Sequence, residues 1–346
     1  MMRHRYSARK QTSPRKTLIA SIQLILAIAI SFSIIPQSQA QVRSSVARWT
    51  APPKRAAELH TSGFDKLQQG DYQGAIADFT QAIKIKPDYS SAYNGRGTVR
   101  VRLGDTKSAI ADFTQAIKFE SDFPPNYHDR GIARALSGDK QGAIADFTEA
   151  IKLLPQYPSA YFNRGIARSE LGDNQGAIAD FTEAIKIDST FAIAYVNRGG
   201  IRRQLGDQRG AIEDYNQAIK LQPDYALAFN NRGNSFTDLG EYQRAITDFN
   251  QAIKLQPDHA QAYFNRGIPR ALLRDKQGAI ADFTEAIRLN PDNAYAYFNR
   301  GESRSELGDK QGAIADFQKA ANIFQRQGKM KDYRNAVDTI QKLMRS

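Results

Sequence analysis

Two kinds of side chain recur in this sequence at a spacing that invites chemistry. Arginines stand at Arg96, Arg130, Arg164, Arg198, Arg232, Arg266 and Arg300, and a second arginine follows four places later at Arg100, Arg134, Arg168, Arg202, Arg270 and Arg304. Opposed to them runs an aspartate series: Asp78, Asp112, Asp146, Asp180, Asp214, Asp248, Asp282 and Asp316. Such a set could form an arginine stripe for phosphate or nucleic acid. It could equally form ion pairs that join two stretches of chain. Pairing is the expected use, because a desolvated guanidinium must find a carboxylate and every unit supplies one. The second kind is an asparagine row: Asn163, Asn197, Asn231, Asn265 and Asn299, with Asn230 and Asn234 beside it. An amide both donates and accepts, so a row of them can bond a peptide backbone whatever its side chains. The same amides could instead bridge neighbouring helices.

Other chemistry is excluded by what the chain lacks. It has no cysteine, hence no disulfide, thiolate nucleophile or Cys-based metal site. Its four histidines, His4, His60, His128 and His259, are too far apart in sequence to make a local metal-ligand pair. No phosphate-binding loop, dinucleotide fingerprint or nucleophile elbow occurs. No catalytic, cofactor or metal site is expected, and the chain reads as a non-enzyme. The formal net charge of +12 hints at nucleic acid. However, Arg3, Arg5, Arg9, Lys10, Arg15 and Lys16 crowd residues 1–40 without an acidic residue among them. Beyond them the two signs are interspersed and the excess is modest, so no nucleic-acid partner is expected.

What must position the arginines, aspartates and amides is a repeat. A frame of 34 residues fits eight times without insertion: 56–89, 90–123, 124–157, 158–191, 192–225, 226–259, 260–293 and 294–327. One glycine series runs Gly63, Gly97, Gly131, Gly165, Gly199, Gly233, Gly267, Gly301, and an alanine series begins at Ala75 and ends at Ala313. Aromatics follow at Phe79, Phe113, Phe147, Phe181, Tyr215, Phe249, Phe283 and Phe317. In the fourth frame Ala177, Ile178, Phe181, Ala184 and Ile185 make one stripe on a helix. Gly172 closes the helix before it and Asp173 is placed to cap it. Gly165 and Ala177 let the two helices approach closely. Residues 328–346 follow the last frame. There Tyr333, Ala336, Val337, Ile340, Leu343 and Met344 form an apolar stripe expected to cap the array, since a stack of such hairpins needs a polar end.

The period, the Tyr-x-x-x-Gly start, the Gly-Asp turn, the Ala-x-x-x-Phe-x-x-Ala core and the terminal proline (Pro87, Pro155, Pro223, Pro257, Pro291) resemble the tetratricopeptide repeat family. Its bacterial members, cyanobacterial ones among them, offer sequences of this style. The resemblance covers residues 56–327. It implies an all-α, right-handed superhelical solenoid of helix-turn-helix repeats, with a groove lined by the first helix of each pair that binds peptides or partner proteins. On that face the residue two before each arginine is His60, Asn94, His128, Phe162, Val196, Asn230, Phe264 or Phe298. Four places further on stand Phe64, Thr98, Ile132, Ile166, Gly200, Asn234, Ile268 and Glu302. The asparagine row resembles the ladder in the repeat superhelix of O-linked N-acetylglucosamine transferase, where amides hold a substrate's backbone. Here the row is broken in the first three frames by Thr61, Gly95 and Asp129. The expected peptide-binding set is Asn163, Asn197, Asn231, Asn265, Asn299, Phe162, Phe264, Phe298, Asn230 and Asn234.

The N-terminus directs the chain elsewhere. Residues 1–16 are polar and basic, Leu18 to Ile35 are almost wholly apolar, Pro36 ends the run, and Ser38-Gln39-Ala40 offers a cleavage site. This is the order of a secretory signal, cleaved after Ala40, while the length of the run also suits a retained membrane anchor. Either places the repeats outside the cytoplasm, in the periplasm, secreted or tethered. Residues 41–55, with Trp49 and Pro52-Pro53, read as a linker. The function expected is a scaffold holding proteins or peptides. The alternative is a regulatory or substrate-recruiting subunit of an envelope enzyme. The seventh repeat is expected to be its weak point, because Pro269 falls inside a helix and Arg274 replaces the turn glycine.

Overall fold

The computed structural model describes residues 51–345. The signal or anchor segment and Trp49 lie outside the described residues. Seventeen helices and no strand occur among the described residues: α1 (Lys54–Gln69), α2 (Tyr72–Ile85), α3 (Ser90–Arg102), α4 (Thr106–Phe119), α5 (Pro124–Ser137), α6 (Lys140–Leu153), α7 (Pro158–Glu170), α8 (Asn174–Ile187), α9 (Ala192–Gln204), α10 (Gln208–Leu221), α11 (Ala226–Leu239), α12 (Tyr242–Leu255), α13 (Ala260–Leu272), α14 (Lys276–Leu289), α15 (Ala294–Glu306), α16 (Lys310–Arg326) and α17 (Met330–Arg345). Every 34-residue frame is thus a helical hairpin. The first helix already begins at Lys54, two residues inside the stretch read as linker.

Local chemistry sets each hairpin. Gly172 takes a left-handed conformation (φ 88°) that stops α7, and the Asp173 N–H turns back to the Arg168 carbonyl at 2.9 Å. The Asp173 carboxylate then accepts the Gly176 N–H at 2.9 Å, satisfying one of the orphan donors that open α8. Asp71, Asp105, Asp139, Asp207, Asp275 and Asp309 do the same at their own turns. The seventh repeat departs from the rule as anticipated. Arg274 has φ 67°, the one non-glycine residue with positive φ among the described residues. A left-handed L-residue costs about 1–2 kcal/mol, of which glycine's extra unfolded-state entropy offsets roughly half. Arg274→Gly is therefore expected to stabilise the array by about 0.5–1 kcal/mol. An unchanged or lowered denaturation midpoint would contradict this.

The described residues divide into two compact units, meeting within α9 at residues 194 and 195. In the first, α1 to α8 pack each against the next. Phe79, Phe113 and Phe147 are wholly buried between the helices of their hairpins. In the fourth repeat a Cβ on Gly165 would stand 2.9 Å from the Phe181 ring, so glycine is what lets α7 close on α8. Burying such a ring contributes roughly 2–3 kcal/mol to closing the hairpin. In the second unit α10 to α17 again pack in sequence, and Arg198 on α9 reaches Asp214 on α10. The unit ends as expected in a cap. Ala336 is buried, and Tyr333, Val337, Ile340 and Leu343 of α17 pack on a cluster containing Phe317, Ala320, Ala321 and Phe324. Met344 does not join them: it is 68% exposed, so the apolar stripe stops at Leu343.

Candidate functional site: the first-helix amides

The arginine series builds the repeat. In the fourth repeat Arg164 grips Asp180 with Nη2 at 2.7 Å and Nε at 3.0 Å. Arg168 adds a third donor to the same carboxylate at 2.9 Å. The remaining nitrogen of Arg164 donates to Thr148 Oγ1, on the second helix of the preceding repeat, at 3.1 Å. Its guanidinium also lies 5.5 Å from the Tyr161 ring centre, within cation–π range. Asp180 is 2% exposed. The arrangement recurs with Arg96, Arg130 and Arg300 on Asp112, Asp146 and Asp316, each reaching back to a threonine. Arg232 and Arg266 reach back to Asn216 and Asn250 instead. Each arginine thus joins the two helices of its own hairpin and, through one spare N–H, the hairpin before it. An anion would have to displace a buried bidentate carboxylate, so these residues offer no phosphate stripe. Around Asp214 burial is the largest influence and raises the carboxyl's pKa despite the Arg198 and Arg202 charges.

The phenylalanines expected in the groove are in the core. Phe162 is 1% exposed and lies against Phe181 and Phe191, with ring centres 5.5 and 5.0 Å away. Phe264 and Phe298, 5% and 2% exposed, pack on Phe283 and Phe317. The reason is helical phase: the residue two before the arginine points between the hairpin's helices, where an aromatic is worth more buried than displayed. Ile132 and Ile166, four places further on, are buried too, at 0% and 4%.

The asparagine row splits in two. Three polar links tie one first helix to the next at a separation of 35 residues. Asn94 on α3 donates to Asp129 on α5 at 2.9 Å. Asn163 on α7 donates to His128 Nε2 on α5 at 3.0 Å, which leaves Nδ1 as the donor towards Asp129 Oδ1 at 3.3 Å. Asn265 on α13 donates to Asn230 on α11 at 3.0 Å and accepts from Gln261 at 2.7 Å. Asn163, Asn230 and Asn265 are 1%, 4% and 8% exposed, so the bridging reading holds for them. Asn299 is also buried, at 6% exposure. The rest of the set, Asn197 on α9 and Asn231 and Asn234 on α11, is half-buried and reaches the surface. Asn231 Oδ1 accepts from Asn230 at 3.2 Å, which fixes the direction of its amide.

A signal for this division was present in the sequence. An asparagine bridges backwards where the residue 35 before it is polar, as with His128 and Asn230. Where that residue is Phe162, Val196 or Phe264, an apolar side chain stands in that register before Asn197, Asn231 or Asn299. Sequence reading also passed over the ion pair Arg203–Asp238 (2.8 Å), which joins α9 to α11 at the surface beside the same amides. No group of three or more metal-ligating side chains gathers among the described residues.

Hairpins in unbroken 34-residue register, closed by Gly-Asp turns and packed through Ala and Phe, define a helical repeat protein. Models described as "TPR repeat" match residues 65–104, 199–236, 233–268 and 277–308. Models described as "Tetratricopeptide repeat" match 128–190, 90–123 and 294–326. The chain belongs to the tetratricopeptide repeat (TPR) family, whose repeats serve in general as non-catalytic scaffolds for protein interaction. No curated protein matches it. Among solved structures it is similar to one from the APC/C hetero-tetramer Cut9-Hcn1, with a TM-score of 0.57 and 17% identity over 79% of this chain. The chain spans about half, 52%, of that protein's length. It is also similar to a tetratricopeptide repeat protein of Parabacteroides merdae, with a TM-score of 0.55 and 18% identity over 72% of this chain and 99% of that one. At these identities the likeness is one of fold.

Proposed function

We propose that this chain is a scaffold that holds an extended peptide segment of a partner protein on the first helices of its fifth and sixth repeats. The observation that carries the reading is the division of the amides. Those buried by inter-helix bonds are structural, whereas Asn197, Asn231 and Asn234 remain at the surface of α9 and α11. An amide pair can accept from one peptide N–H and donate to the next carbonyl, so the contact is indifferent to the ligand's side chains. Nucleic acid is disfavoured, because the arginines that would attract it are paired to aspartates. Export is part of the proposal, and its support is the signal-like order of residues 1–40. No helix among the described residues is long and apolar enough to cross a membrane.

The test is selection of random 12-residue peptides displayed on phage against the purified chain. Affinities of the captured peptides are then measured for wild type and for Asn231→Ala/Asn234→Ala. Two lost amide contacts of about 0.5–1.5 kcal/mol each predict roughly fivefold or greater weakening, with the denaturation midpoint little changed. Capture of no peptide, or equal binding by the variant, would refute this placement of the site.

A further inference from the structure

The fifth repeat breaks its own pattern twice, and the two breaks touch. Its core aromatic is Tyr215, where the other repeats carry phenylalanine, and its first helix has Gly200 where the others carry Phe, Thr, Ile, Asn or Glu. Tyr215 is 0% exposed, and its hydroxyl oxygen is buried without a hydrogen-bond partner. A buried polar atom left unbonded is costly and rare in folded proteins. Gly200 lies in the interior of α9, where glycine weakens a helix. Packing does not require it: a Cβ at Gly200 would stand 3.9 Å from the Tyr215 hydroxyl, an ordinary contact, so alanine would fit. The fold itself therefore accounts for neither residue. Each detracts from stability at the place where the surface amides gather.

Both are explained by a ligand. We infer that the surface over Gly200 is a subsite for the main chain of an extended peptide, one of whose carbonyl oxygens accepts a hydrogen bond from the Tyr215 hydroxyl. The inference rests on the peptide-holding reading of α9 and α11 and locates one contact within it. A helix face without a side chain lets a second backbone approach closely. The hydroxyl beneath is a donor at any physiological pH, since burial pushes the phenol's pKa up. The charges that act on it are Arg203, Asp214 and Asp238. Asp214 is held by Arg198 and Arg202, whereas Arg203 and Asp238 form an ion pair with both partners partly exposed, at 37% and 42%. The hydroxyl is closed off in the free chain, and this pair is among the charges beside it; an exposed pair opens at little cost, and its opening is the step that would admit the ligand's carbonyl. Gln208 Oε1, a second buried acceptor without a partner, lies on the same side of α10 as Tyr215, seven residues or about 10 Å away along the helix. An extended chain bonding both would cover three to four residues at about 3.3 Å each.

Two substitutions separate this contact from folding. Tyr215→Phe installs the residue of the other repeats, and Gly200→Ala adds only the Cβ that the packing admits. Neither threatens the hairpin, and each should leave the denaturation midpoint equal or raised. Against the peptides captured by the wild-type chain, each variant is expected to weaken binding about five- to tenfold. If the captured peptides bind both variants within twofold of wild type, yet lose affinity for Asn231→Ala/Asn234→Ala, the scaffold reading stands and the subsite is overturned. The hydroxyl then serves an internal water only. If the wild-type chain captures no peptide, the scaffold reading falls and takes the subsite with it. A lowered midpoint for Tyr215→Phe would mean that the hydroxyl has a partner within the fold, which also overturns the inference.

Discussion

Asp180→Ala is expected to lower the stability of the array by about 3 kcal/mol. Asp180 is 2% exposed and its carboxylate faces three guanidinium nitrogens, two of Arg164 and one of Arg168. Removing it strands Arg164, whose side chain is 12% exposed, next to an apolar core. The low end of the range for a broken buried pair applies, because Arg164 keeps Thr148 and the Tyr161 ring and has a partial path to water. The chain contains its own control. In the first repeat serine and lysine replace the two arginines: Ser62 and Lys66 hold Asp78 at 2.6 and 2.7 Å, and the Asp78 side chain is 14% exposed. There desolvation is the largest single influence and raises the carboxyl's pKa, but the Lys66 and Ser62 bonds together with the Lys66 charge outweigh it and lower it. Asp78→Ala should cost only about 1 kcal/mol, since lysine can swing into solvent. Arrays of this kind need not unfold in one step, so amide exchange across α7 and α8 is the measurement to pair with the denaturation midpoint. Equal losses at the two positions would mean that burial does not govern the interaction. An unchanged midpoint for Asp180→Ala, with peptide binding lost, would mean that the arginines serve the ligand.

These two carboxylates illustrate what was legible in the sequence. The period, the hairpins, their turns and the Arg–Asp pairing all follow from residues repeated in register, because a feature present in every unit must serve what every unit does, which is to stack. The site is written in the exceptions, and an exception is ambiguous from one side. Phe162, Phe264 and Phe298 looked like ligand contacts because they vary in a row otherwise shared with histidine and asparagine. Helical phase buried the row from His128 to Phe298, and a spacing of one residue on a helix moves a side chain by about 100°. The asparagine row stood one residue further round, at the margin between packing and surface. There the outcome depends on a second residue 35 positions earlier, which one row read alone does not reveal. Tyr215 and Gly200 were visible as departures, each in its own series. That they meet is a fact of the packing of α9 on α10.

Pro269→Ala should stabilise the seventh repeat by about 1–2 kcal/mol. Proline inside α13 removes the N–H that would bond the Asn265 carbonyl, a defect of roughly 3 kcal/mol in an ordinary helix. Yet α13 runs unbroken from Ala260 to Leu272, and Leu273 N–H still bonds the Pro269 carbonyl at 2.9 Å. Phe264 remains in the core and Asn265 remains tied to Asn230, so the proline has not turned either towards a ligand. The proline thus re-aims neither residue, and its cost is one that stacking absorbs. Part of that cost is not recoverable. Alanine restores unfolded-chain entropy worth about 0.4–1 kcal/mol, and it is smaller than the buried proline ring, so a little packing is lost. Alanine already stands at the same place in two other repeats, as Ala133 and Ala167, both buried, which shows that the hairpin accepts it. The seventh hairpin, residues 260–293, should exchange its amides earlier than the tenth helix and its neighbour α11, and Pro269→Ala should slow that exchange while captured peptides bind as before. If 260–293 is already as protected as α10 and α11, the stacking of α12 and α15 on either side has overridden the defect. The substitution would then bring no gain in the denaturation midpoint.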